Sequence, residues 1–182
     1  MSSSKSSTSQ ALSPEQALTA TNPNYSSGYE YRVNCQRVVY AYEMNRRGEL
    51  CEAKPKPLTS NGRPDWNNDE TGKHWDEMME GQTWDRVGSR SRPRTIDNLD
   101  NQMASYGEGS RAVVYVKWSG SSSAHVFNAE RIGGETRYFD AQTGKVVDIS
   151  HYIGNAMPTK TMVSRIDNLR PSRYIDGCIT RR

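Results

Sequence analysis

No run of about 18 consecutive apolar residues occurs anywhere in the chain, which excludes a membrane-spanning helix on length alone. The opening Met1-Ser2-Ser3-Ser4-Lys5 has no apolar core of the secretory kind, so nothing there directs export. Cysteine is scarce: Cys35, Cys51 and Cys178 are three in number, with no metal-like spacing. An odd, sparse set argues against a disulfide framework and for a reducing compartment, or for work done by a free thiol. Apolar residues are scarce too, at 34% with a mean hydropathy of −0.90. Part of that deficit falls between Met1 and about Leu12, a serine- and threonine-rich stretch expected to be a flexible arm because it buries too little surface to offset the entropy of ordering. Charge of one sign is also missing: 24 basic residues are scattered among 21 acidic ones, for a net +3. The densest basic segment, Arg86 to Arg94 with Arg90, Arg92 and Arg94, reads as a solvated loop and argues against a nucleic-acid partner. His74 has no neighbours that would complete a metal set, and neither a metal nor a cofactor is expected.

What is present is organised around Asn34-Cys35-Gln36-Arg37-Val38-Val39-Tyr40-Ala41-Tyr42-Glu43-Met44-Asn45-Arg46-Arg47-Gly48. Asn34 is a good N-cap, Gly48 a good residue just past the end, and Arg46 and Arg47 suit the negative helix terminus. In such a helix Val38, Val39 and Tyr42 face a core, while Arg37, Glu43, Arg46 and Arg47 face water. Cys35 then falls on the first turn, where unpaired N–H groups and the positive end of the macrodipole favour a thiolate, the nucleophilic form of cysteine.

A nucleophile so placed needs a base. Ala124-His125-Val126-Phe127-Asn128-Ala129-Glu130 reads as a strand carrying one, and Tyr138-Phe139-Asp140-Ala141-Gln142 as the next strand, carrying an acid. In that arrangement Cys35 attacks an amide carbonyl, His125 relays the proton and Asp140 orients the imidazole. The N–H of Cys35 supplies one oxyanion donor, and the side chain of Asn34, Gln36 or Gln142 a second. His151 is a weaker rival for the base, and Cys51, with no helix start or base beside it, is expected to be a small buried residue.

The block N-C-Q-R-V-V-Y-A-Y-E-M-N-R-R-G, followed by Ala53-Lys54-Pro55 and later by A-H-V-F-N-A-E and F-D-A-Q-T-G, resembles the papain-fold toxin domains of the glutamine deamidase type, a kind also found in phage minor head proteins. The resemblance implies an α+β, papain-like cysteine hydrolase fold in which an N-terminal helix carrying the cysteine packs on an antiparallel sheet carrying histidine and aspartate. It implies a protein substrate and glutamine deamidation or proteolysis; the triad by itself does not separate these from cross-linking, because all three reactions share one acyl-enzyme. Its alternative context is a phage virion or head-associated structural protein retaining the fold, with other virion proteins as partners. The expected location is cytoplasmic or virion-associated. The chain departs from the family where a second cysteine often follows three residues after the first, here Val38, and where Gly48-Glu49-Leu50-Cys51 replaces a Gly-Tyr-Asp-Val phrase.

The remaining elements are read from local signals. An arm over residues 1–20, with a short helix from Ser13 through Ala20, precedes a single domain over 21–182. Tyr25 to Val33 is expected to be extended, and Glu49 to Ala53 a brief strand. His74 to Glu80 forms one helical stretch, and Thr95 to Tyr106 an amphipathic helix ended by Gly107. Trp66, Trp75 and Trp84 recur at equal intervals with nothing else in step, so no solenoid is inferred. Arg111 to Trp118 is the strongest strand, Arg131 to Glu135 a hairpin turn, and Val146 to Ile149 one more strand of a sheet of at least three. His151 to Arg182 is expected to be a loop-rich tail over the sheet edge.

Overall fold

The computed structural model describes residues 10–182. Residues 1–9, part of the expected arm, lie outside them. Ser13 opens α1 (Pro14–Thr21) with a reciprocal cap: its hydroxyl accepts from the Gln16 N–H at 3.2 Å, and the Gln16 side chain accepts from the Ser13 N–H at 2.9 Å. Ser13→Ala is expected to cost about 1 kcal/mol, measured by chemical denaturation. Ala17 and Leu18 of α1 are buried against α2 (Cys35–Arg46), so this short helix belongs to the core. Three further α-helices occur among the described residues: α3 (Glu70–Lys73), α4 (Arg92–Tyr106) and α5 (Ile149–Gly154).

The strands are β1 (Cys51–Ala53), β2 (Asp85–Arg86), β3 (Arg111–Lys117), β4 (Ala124–Ile132), β5 (Glu135–Asp140), β6 (Lys145–Val146), β7 (Met162–Arg165) and β8 (Ile179–Arg181). Six form one antiparallel sheet in the order β2-β7-β3-β4-β5-β6, and β1 pairs with β8 apart from it. The central strands bury both faces. Val113, Val126 and Phe139 pack with α2, whereas Ala112, Val114, Val116, Phe127, Ala129 and Tyr138 pack with Leu99 and Met103 of α4 and Ile153 of α5. This is the two-residue alternation of a strand with an apolar partner on each side, and it explains why Arg111 to Trp118 reads as almost continuously apolar.

Helix α2 differs from its expected amphipathic form. Arg37 and Glu43 are buried, not solvated, and Arg46 and Arg47 are largely covered. Glu43 accepts from Arg47 at 2.8 Å and from Arg111 of β3 at 2.7 Å, while Glu130 of β4 accepts from Arg46 at 2.9 Å and from the Tyr42 hydroxyl. These charges are tolerated inside because each has an oppositely charged partner, and they tie the helix to two strands of the sheet.

Other expectations are corrected. Tyr25 to Val33 is two 3-10 turns, Tyr25–Ser27 and Tyr29–Tyr31, rather than extended. The helix expected at His74 to Glu80 lies earlier, in α3, because Asp69 caps it by accepting from the Gly72 N–H. Arg92 and Arg94 are in the first turn of α4, capped by Ser91, instead of in a loop, and Arg92 donates to the carbonyls of Ile153 and Ala156. Val146 to Ile149 is not a strand: only Lys145–Val146 pairs, and Asp148 caps α5. The C-terminal tail supplies β7, an interior strand between β2 and β3, and β8. No helix among the described residues is long and apolar enough to cross a membrane.

Candidate active site

The register between β4 and β5 runs from Ile132↔Glu135 to Asn128↔Phe139 and stops. Beyond it residues 124–127 pair only with β3, and Asp140 pairs with Lys145 of β6. The two strands splay there, and the N-terminus of α2 abuts the opening. Two hydrogen bonds hold it: the Asn128 side chain donates to the Val39 carbonyl at 3.1 Å, and Gln142 donates to Asn34 at 3.3 Å. The N–H groups of Cys35 and Gln36 donate to no acceptor among the described residues, as first-turn donors of a helix do.

His125 and Asp140 flank the same opening. The His125 Nε2 lies 2.7 Å from Asp140 Oδ2, which leaves Nδ1 as the ring nitrogen open to the thiol. Cys35 and His125 line one cleft, and each shifts the other's titration. Burial works against a Cys35 thiolate, but the His125 cation outweighs it and the thiol sits below its ordinary value. Burial likewise opposes the imidazolium, yet Asp140 and Cys35 together push His125 up to about 10. Asp140 is held below the usual carboxylate range: burial opposes its charge, and His125, the Tyr152 hydroxyl and the Gln142 N–H offset that penalty. Cys51 and Cys178 show the opposite sign, since burial raises both thiols to about 12.

The three residues read as oxyanion or orienting groups separate in the structure. Asn34 does not cap α2 with its side chain. Its amide N–H groups are spent on Asn22 Oδ1 at 3.0 Å and the Lys54 carbonyl at 3.1 Å, and its oxygen accepts from Gln142. Gln142 is a strut: its backbone N–H donates to Asp140 at 3.2 Å, and its carbonyl accepts from Asn22 at 2.9 Å. Gln36 lines the cleft beside Cys35 with no side-chain partner among the described residues. His151 is exposed on α5, and His74 is at the surface against Tyr174 and Glu77. Cys51 is buried in the core, as expected. Among the described residues no three His, Cys, Asp or Glu side chains cluster as a metal set.

Sequence reasoning missed three neighbours. Asn22 links the end of α1, the start of α2 and the turn after β5. Trp118 stacks on the His125 ring at a centroid distance of 5.9 Å and 19° between planes. Tyr152 donates to Asp140 Oδ2 at 2.7 Å. Only Trp118 had a signal, its place at the end of the strongest strand beside the Ser119 to Ser123 loop. The cleft over Cys35 has a volume of about 1190 Å³ and is walled by Tyr29, Trp66, Trp75, Trp118 and Tyr152.

A helix that starts with cysteine, seated against an antiparallel sheet that presents histidine and aspartate in that chain order, is the layout of the papain fold. The family described as papain fold toxin 1, glutamine deamidase, matches residues 33–145, and the chain belongs to it. No curated protein matched the chain.

Proposed function

We propose that this protein is a cysteine amidohydrolase that converts glutamine side chains of a protein substrate to glutamate, with Cys35 as nucleophile, His125 as proton carrier and Asp140 as its orienting partner. The observation that carries the reading is the pairing of a lowered Cys35 thiol with a raised His125 imidazole backed by Asp140 at 2.7 Å, at a helix start with unspent N–H groups. Membership of the glutamine deamidase family supports the side-chain amide over the peptide bond.

In this mechanism the Cys35 thiolate attacks the carboxamide carbon, and the oxyanion is met by the Cys35 N–H and the Gln36 side chain. The C–N bond breaks as His125 gives its proton to the departing nitrogen, so ammonia leaves and a thioester remains. Neutral His125 then takes a proton from water, whose oxygen attacks the thioester. Collapse releases the glutamate product, and the proton held by His125 restores the imidazolium facing the thiolate. Asn34 and Gln142 position the helix start and the Asp140 turn instead of touching the oxyanion. The free thiols fit action in a reducing compartment, as an effector would meet inside a target cell.

The test is incubation of the protein with a panel of cytosolic proteins, with mass spectrometry for glutamine-to-glutamate exchange and an assay for released ammonia. Exchange that needs Cys35 supports the proposal. Chain cleavage without exchange would replace it with proteolysis.

A further inference from the structure

Tyr152 stands outside residues 33–145, on α5, and its hydroxyl meets the same Asp140 oxygen that His125 Nε2 meets, at 2.7 Å in each case. We propose that Tyr152 is a positioning residue for the site, holding Asp140 ionised and in the orientation that aims His125 at Cys35. The inference rests on the reading of Cys35, His125 and Asp140 given above.

The arrangement around it is built for that task. Asp148 caps α5 by accepting from the Ser150 and His151 N–H groups, Ile153 anchors the helix in the core, and Arg92 clamps its end through the Ile153 and Ala156 carbonyls. The Met157 N–H donates to the Lys117 carbonyl, and the Ser119 N–H donates to the Asn155 carbonyl, so α5 is fastened to the end of β3. The Tyr152 ring is held edge-on by Phe127 at 5.1 Å and by Trp118 at 5.7 Å, which aims the hydroxyl at Asp140. Burial and the charge of Asp140 push the phenol far above its ordinary value, so it remains a donor across the working range. Asp140 then has three donors: the imidazole, the phenol and the Gln142 N–H. The titratable groups that face it are His125 from β4, Tyr152 from α5 and, through His125, Cys35 from α2. A buried carboxylate with fewer donors takes up a proton at higher pH, and a protonated Asp140 no longer supports the imidazolium that keeps Cys35 as thiolate.

The experiment measures the rate of Cys35 alkylation by iodoacetamide against pH, which reads the thiolate without any substrate. Tyr152→Phe keeps the ring and removes only the hydroxyl, and it is expected to move the acid limb up by about one pH unit. Replacing Tyr152 by a ring-fluorinated tyrosine, a stronger donor, is expected to move that limb down. In an Asp140→Asn background Tyr152→Phe is expected to add no further shift, because both changes act through one contact. An unmoved acid limb in a folded Tyr152→Phe protein, or shifts that simply add in the double variant, would overturn the assignment. Since no substrate enters, failure here is separable from failure of the deamidase reading, which is judged by glutamine exchange.

Discussion

Cys35→Ala is expected to remove glutamine-to-glutamate exchange entirely, and His125→Ala to lower it on the order of 10⁴-fold or more, the loss typical when one member of a nucleophile–base pair is removed. The same pair sets the reactivity of the thiol. In the intact protein Cys35 titrates below its ordinary 9.0, and iodoacetamide is expected to modify it at neutral pH in preference to Cys51 and Cys178, which are buried and raised to about 12. His125→Ala takes away the cation and leaves the burial, so labelling of Cys35 slows at neutrality and recovers only as pH rises. The direction on the alkaline side differs between the two assays. A raised imidazole keeps its proton until pH approaches about 10, so exchange, which needs that proton for the leaving nitrogen, declines there. Alkylation, which needs only the thiolate, does not. Slow labelling of all three cysteines, indifferent to His125, would return the protein to a structural role such as that of a head-associated phage component.

Asp69→Asn is expected to be strongly destabilising for so conservative a change. Asp69 is buried and accepts from two buried cations, Arg37 of α2 at 2.5 Å and Lys56, and from the Gly72 N–H. Loss of its charge leaves both cations without a counter-ion, at a cost of about 3–5 kcal/mol. For a chain of this length that corresponds to a fall in melting temperature on the order of 10 °C. The pH dependence has its origin in the same geometry. Burial opposes the Asp69 charge, but Arg37 and Lys56 hold its carboxyl at about 2 against the usual 3.8. A depressed carboxylate contributes its full stability above the unfolded value and loses it as pH falls through the folded one. The wild type should therefore lose stability between about pH 4 and 2 more steeply than the variant. The effect reaches the cleft, since Lys56 Nζ also lies 3.7 Å from the ring centroid of Trp66, an exposed residue of its wall. An Asp69→Asn protein with an unchanged denaturation midpoint would remove this network from the account of stability.

Local chemistry explains what was legible. The reciprocal cap at Ser13 and Gln16, the cysteine at a helix start and the strand-like stretch around His125 are short-range signals, and the elements formed within a few residues of where they were expected. Where the reading failed, a distant partner had intervened. Val146-Val147-Asp148-Ile149 has the β-branching of a strand, but Asp148 capping and burial of Ile153 make Ile149–Gly154 the helix α5. Met162 to Arg165 carries no strong strand signal, and it becomes one only by filling the place between β2 and β3. Arg37 and Glu43 read as solvated because charges on a helix usually are, and their partners Asp69 and Arg111 are 32 and 68 residues away.

The sequence alone determined the candidate groups and their order, a thiol on a first helical turn, then an imidazole, then a carboxylate, because the helix start is a local signal and the other two follow it on adjacent strand-like stretches. Tertiary structure alone decided which amides were free to face the cleft, which charges went inside, and that a tyrosine from α5 closes on Asp140. Those outcomes depend on which long-range surfaces pack together and on every buried polar group finding a partner there, and no stretch of a few residues contains that information.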